Sequence, residues 1–172
     1  MRIITLRSAY KTLSVSEVQS MPNVSIRKKI AFGFHGHSTV NHDYNIKTVG
    51  GDVVVVDNAT GLMWHQGGSD DGMYWYHAKK WVEDLNYAGY HDWRLPTVDE
   101  AASLLESSKM NSNLYIDPVF SKKQKWTWTG DKFEYEDGSE AAWLAGFNFG
   151  QVFRSIYHID SNCYVRPVRS ME

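Results

Sequence analysis

Two stretches of helical period are joined by seven residues that are not helical, His91-Asp92-Trp93-Arg94-Leu95-Pro96-Thr97. Trp93 and Leu95 alternate with Asp92 and Arg94, the period of a half-buried strand. Pro96 stops that extension. Thr97 with Glu100 three residues on forms a capping box, which starts the second helix. No catalytic group is set out here, so this link reads as structural and function must be sought elsewhere. The first helix is expected from near Tyr74, where Ala78, Trp81, Val82 and Leu85 fall at i, i+3, i+4 and i+7. Lys79, Lys80, Glu83 and Asp84 line its solvated side, and Gly89 is its expected C-terminal cap. The second helix is expected from Val98 to about Ser107, with Ala101, Leu104 and Leu105 facing inward.

Strands flank this helical pair. Asp52-Val53-Val54-Val55-Val56-Asp57 is a β-branched run. Asn58-Ala59-Thr60-Gly61 turns the chain, and Leu62-Met63-Trp64 returns, which makes a hairpin. Ser108 to Lys125 lacks periodicity, but Ile116-Asp117-Pro118-Val119-Phe120 is placed to pin that loop to a core. From Trp126 the pattern is β again. Trp126 and Trp128 alternate with Thr127 and Thr129, Asp137-Gly138 is a hairpin turn signal, and Ala142 to Phe147 and Val152-Phe153 are further strands. Trp126, Trp128, Trp143 and Phe147 read as core, with one of the two alternating tryptophans partly exposed. Tyr164 to Arg169 is the last strand, at an edge or irregular where Pro167 lacks a donor. The order of elements describes an α+β domain, two helices packed on a twisted, mostly antiparallel sheet with a long loop-rich region.

At 172 residues there is room for one domain with a core plus an extension. The domain is drawn over 52–172, and 1–51 is read as an N-terminal extension with a short helix and a loop. Ser14 and Glu17 cap that helix and Pro22 ends it. His35, His37 and His42 raise a metal reading, since imidazoles are common zinc ligands. No cysteine or spaced carboxylate completes a site, although Asp43 is adjacent. The stretch reads as a polar, turn-rich loop, and neither metal nor cofactor is expected. Cys163 is the only cysteine, which excludes an intramolecular disulfide. A net charge of -2 and a pI near 6.4 offer no field for phosphates, so nucleic acid is not an expected partner. The first six residues are too short an apolar run for a signal peptide, and no stretch reaches transmembrane length. Membrane insertion is not expected, and a cytoplasmic location is. A larger parent protein and an oligomer stay open.

Asp57 to Trp64, Asp92 to Thr97, Ile116 to Phe120 and Tyr164 to Arg169, in that order, resemble the Lcl C-terminal domain family, named for the end domain of a collagen-like bacterial adhesin. The resemblance covers about residue 50 to the C-terminus. It implies a C-type-lectin-like fold related to that of the formylglycine-generating enzymes, with Trp93 and Leu95 as core pins and Arg94 in a fixed contact with a carboxylate. Leu6 to Val18 also looks like the extension that precedes this domain in some bacterial members. Two departures stand out. The usual Trp-Ser-Ser core is here Trp126-Thr127-Trp128-Thr129, and the closing strand carries Pro167 where a cysteine is common.

The formylglycine-generating relatives need a pair of thiols, and one cysteine cannot supply it. No Ser-His-Asp set or carboxylate pair is legible either, so no enzymatic activity is expected. The calcium-dependent lectin motifs are missing, while calcium-free glycan binding stays open. The remaining signal is Phe153-Arg154-Ser155-Ile156-Tyr157-His158-Ile159-Asp160-Ser161-Asn162-Cys163. Some proteins of this fold are targets of diversity-generating retroelements, which randomise the adenines of Asn codons near the C-terminus. Each of these eleven residues is reachable by such changes, whereas Lys, Glu, Gln, Met and Trp are not and are absent. Tyr offers contact area at little entropic cost, and Arg pairs bidentately with carboxylates. The expectation is a non-catalytic module that holds a protein or glycan through Phe153, Arg154, Tyr157, His158, Asp160 and Asn162. The alternatives are an ordinary polar loop at this position, or a glycan-binding or structural interaction domain of an adhesin or signalling protein without diversification.

Overall fold

Residues Val53 to Val56 and Ala141 to Leu144 are continuous apolar runs, and continuous runs belong to strands covered on both faces. A computed structural model of the chain describes residues 3–156 and 163–171, and both runs lie inside sheets. Helix α1 (Val15–Val18) is followed by β1 (Val24–Ile30), β2 (Gly33–Ser38), β3 (Tyr44–Val49), β4 (Asp52–Asp57) and β5 (Leu62–His65). Helices α2 (Trp75–Glu83) and α3 (Val98–Ser103) come next, then β6 (Trp126–Glu134), β7 (Glu140–Gly146), β8 (Gln151–Ile156) and β9 (Val168–Ser170). The strands form two sheets instead of the single one expected, in the orders β1-β2-β8-β7-β6 and β3-β4-β5-β9. Their ladders are all antiparallel among the described residues. The result is a sheet-dominated α+β architecture with three short helices among the described residues.

Strand alternation divides the core in two. Val55, Trp64, Trp143, Ala145 and Val152 share one cluster with α3 residues Val98, Ala101 and Ala102 and with Leu6 and Leu13 of the N-terminal stretch. Val54, Val56, Met63, Ala142 and Leu144 share the other with Trp75, Ala78 and Val82 of α2 and with Trp93 and Leu95. Each cluster draws on both sheets, so β4, β5 and β7 are packed on both faces.

The stretch 1–51, read as an extension with a helix and a loop, does carry its helix: Ser14 and Glu17 form a capping box on α1. In place of the loop it supplies three strands. β2 pairs with β8 at Gly33↔Phe153 and Phe34↔Val152, and β3 runs beside β4. The glycines that made β2 look like a loop let strands approach closely. A Cβ at Gly36 would lie 2.4 Å from the Ser25 carbonyl oxygen.

Three boundaries differ from the sequence pattern. Helix α3 ends at Ser103, because the backbone beyond turns to other partners: Leu105 O accepts from Ser38 N and Glu106 N donates to Tyr115 O. Gly89 is not the cap of α2, whose C-cap is Asp84. It lies, with positive φ, in a turn closed between Tyr87 and Tyr90. The last strand splits around Pro167. Tyr164 bridges Thr127, the backbone of Val165 bonds Ser69, and only Val168–Ser170 joins β5.

The link 91–97 borders β9, exchanging two backbone hydrogen bonds between Arg94 and Val168. Trp93 and Leu95 are buried, and the Arg94 guanidinium donates to both Glu100 oxygens at 2.6 and 2.8 Å. Glu100 also closes the Thr97 capping box. Near both described ends the chain meets one turn, with Ile4 N donating to Ala59 O and Met171 N to Gly61 O. No helix is long and apolar enough to cross a membrane among the described residues.

Candidate binding surface

β8 is the middle strand of its sheet, and its alternation decides what each side chain meets. Phe153 stands opposite Leu144, and Arg154 opposite Trp143. Phe153 accordingly packs half-buried on the cluster that holds Leu144, while Arg154 projects from the other face. The two residues therefore do not share one surface. Tyr157, His158, Asp160 and Asn162 lie outside the described residues.

Arg154 is held by aromatic rings. Its guanidinium carbon is 4.3 Å from the Phe133 ring centroid and 5.4 Å from that of Tyr135, an arrangement favoured by the ring quadrupole. Its Nη1 donates to the Ala31 carbonyl at 3.3 Å, and its Nε is buried with no hydrogen-bond partner among the described residues. No carboxylate of the described residues forms an ion pair with it. Phe32, beside it in the β1–β2 turn, receives the Arg154 backbone N–H and leaves 46 % of its surface exposed. Phe32, Phe133 and Tyr135 were not among the expected site residues. The alternation Phe133-Glu134-Tyr135 ahead of the Asp137-Gly138 turn was a signal for two of them. Phe32 had none, because its segment did not read as a hairpin.

The three N-terminal histidines do not converge. His35 Nδ1 lies 3.3 Å from Phe149 O. His42 donates Nε2–H to Ser103 O, and its Nδ1 is 2.6 Å from an Asp57 oxygen. Burial alone would raise the Asp57 carboxyl, but hydrogen bonds from His42, Asp43 N and Thr60 hold it below the ordinary carboxylate range. Among the described residues no group of three His, Cys, Asp or Glu is placed to hold a metal.

Arg166 in the closing segment is fully buried. It donates to the carbonyls of Gln66 and Ser121 and to Gln124 Oε1, and its guanidinium lies 5.1 Å from the Phe120 ring centroid. Burial brings its pKa down to about 9. This arginine ties the long loop to the end of the chain and is structural.

Among the described residues, two antiparallel sheets, three short helices and a ring-held arginine on a central strand define a sheet-dominated α+β domain. The chain belongs to the Lcl C-terminal domain family, whose model matches residues 53–169. The match starts inside β4 and leaves β1, β2 and β3 before it. No curated protein and no solved structure matches the chain.

Proposed function

We propose that this chain is a non-catalytic binding module with a C-type-lectin-like fold, and that it holds a macromolecular ligand, protein or glycan, on the surface where β8 ends. The observation that carries this reading is Arg154. A guanidinium stacked on two rings, with no carboxylate of the described residues to neutralise it, is already positioned for a carboxylate or hydroxyl of a partner. Phe32 and Tyr135 add aromatic area beside it, as recognition surfaces do. The eleven residues from Phe153 to Cys163, all reachable from Asn codons by adenine changes, support a further step. They are the variable stretch of a diversity-generating retroelement target, in which a fixed scaffold presents changing side chains.

Two measurements test this. Gene copies from different isolates should differ at 153–163 while 126–152 stay fixed; differences spread evenly along the chain would remove diversification. Glycan arrays and panels of purified surface proteins should yield a ligand that Arg154→Glu weakens about ten-fold or more, the loss expected when a stacked cation is reversed. Binding indifferent to that reversal, at unchanged melting temperature, would move the surface elsewhere.

A further inference from the structure

A cavity of about 240 Å³ opens where the N-terminal stretch, β6 and α2 meet. Its walls are fixed by a bulge in β6, whose register to β7 breaks between Trp128 and Lys132. Bulges commonly re-aim side chains. Here the bulge turns buried Asp131 toward the N-terminal stretch, where it accepts from Lys11 N at 2.8 Å, Val98 N at 2.7 Å and Arg7 Nη1 at 2.9 Å. The backbone of Lys132 then pairs with Lys11 and Leu13. Gly130, in the same bulge, makes room for the Tyr10 ring: a Cβ there would lie 2.2 Å from it. The Tyr10 hydroxyl donates to Leu95 O at 2.8 Å, which stands the ring up as a wall with 44 % of the residue exposed.

The charged side chains described in the lining of this cavity are all lysines. Lys79 and Lys132 place their ammonium groups 5.7 and 5.6 Å from the Trp75 ring centroid, and Lys11 lines the cavity with them. Among the described residues no Asp or Glu lines it. Glu140 reaches Lys132 only at 3.7 Å, with both side chains more than a third exposed, a contact of little strength. An apolar wall with several ammonium groups at its rim, in a chain of net charge -2, is a local exception to the charge of the molecule.

We propose that this cavity binds a small amphiphilic organic anion, an aromatic carboxylate whose ring lies against Tyr10 and Leu95 and whose charge faces Lys11, Lys79 and Lys132. The volume is below the roughly 300–1,000 Å³ of drug-sized sites, so the occupant is one or two rings across. Lys132 and Phe133 point to opposite faces of β6, so this site lies across the strand from the rings that hold Arg154. It does not depend on the binding reading given above.

The test is an amide NMR titration of the full chain with benzoate and indole-3-acetate. Benzyl alcohol and indole-3-ethanol serve as neutral counterparts, and sodium sulfate as an anion without an apolar body. The carboxylates should shift the resonances of Tyr10, Lys11, Lys79 and Lys132 saturably. The alcohols and sulfate should bind about ten-fold more weakly or less, the factor that one charge-assisted contact supplies. Lys11→Gln with Lys79→Gln, both at exposed positions, should weaken the carboxylates by about the same factor at unchanged melting temperature. Equal binding of the alcohols or of sulfate, saturable shifts confined to other residues, an unaffected double variant, or no saturable shift up to about 10 mM would each overturn the proposal.

Discussion

His65 shows how a single buried ring links the fold to pH. It stacks on Tyr87 with centroids 3.7 Å apart, and its Nδ1 accepts the Gly68 N–H at 2.9 Å, which requires that nitrogen to be unprotonated. Burial first, and then the charge of Arg166, push its pKa down to about 4. The unfolded ring takes a proton near 6.5. Between these values the unfolded chain binds more protons, so stability falls as pH drops from about 6.5 to about 4 and levels off below. Asp57, held low, adds its loss only on further acidification, as pH falls through its depressed folded value. Urea unfolding should therefore show a loss of about 2 kcal/mol on moving from pH 7 to pH 5. His65→Asn keeps an acceptor for Gly68 and should flatten that dependence; a variant with the wild-type slope would place the titrating group elsewhere.

Among the elements, the link 91–97 does the work its pattern indicated. Its alternation buries Trp93 and Leu95 while Arg94 takes Glu100, and the Trp93 indole also donates to Tyr87 O at 3.0 Å. Trp93→Ala should cost about 3–5 kcal/mol, read from denaturant midpoints, and a variant of wild-type stability would contradict its place in the core. The hairpin β4–β5 and the Thr97 cap were equally legible, because turn residues and β-branched runs act locally. β2 was not. Its Gly-Phe-His-Gly-His-Ser sequence has little strand propensity, and β1 and β8 impose the conformation from either side. On the proposed binding surface, the sequence marks Arg154 by residue type but not its posture. Which face a side chain takes depends on strand register, and β8 is held in register from two sides, by β7 next to it in sequence and by β2, which lies more than a hundred positions away.

At the scale of the molecule, the family match and the packed unit do not coincide. The match begins at residue 53, yet β1 and β2 cover the flank of β8, β3 covers β4, and Leu6 and Leu13 are buried in the core. A chain started at residue 52 would expose the edges of β8 and β4 and lose that packing. It should show no cooperative melt and collapsed amide dispersion, whereas the full chain should show both a cooperative melt and dispersed amides. A well-dispersed, cooperatively melting fragment would show that the first 51 residues are dispensable to the fold.

The meeting of Ile4 and Met171 at the Ala59–Gly61 turn has a bearing on how the molecule can be re-threaded. Two points so far apart in sequence lie within a few residues' reach of each other, so a short Gly-Ser bridge can close the chain into a ring. New ends can then be cut at the exposed Asp137-Gly138 turn, which carries neither Arg154 nor the Tyr10 cavity. Such a permutant keeps every ladder of both sheets while reversing the order in which β1–β3 and β7–β9 leave the ribosome. That separates what the strands contribute as neighbours in space from what they contribute by being made first.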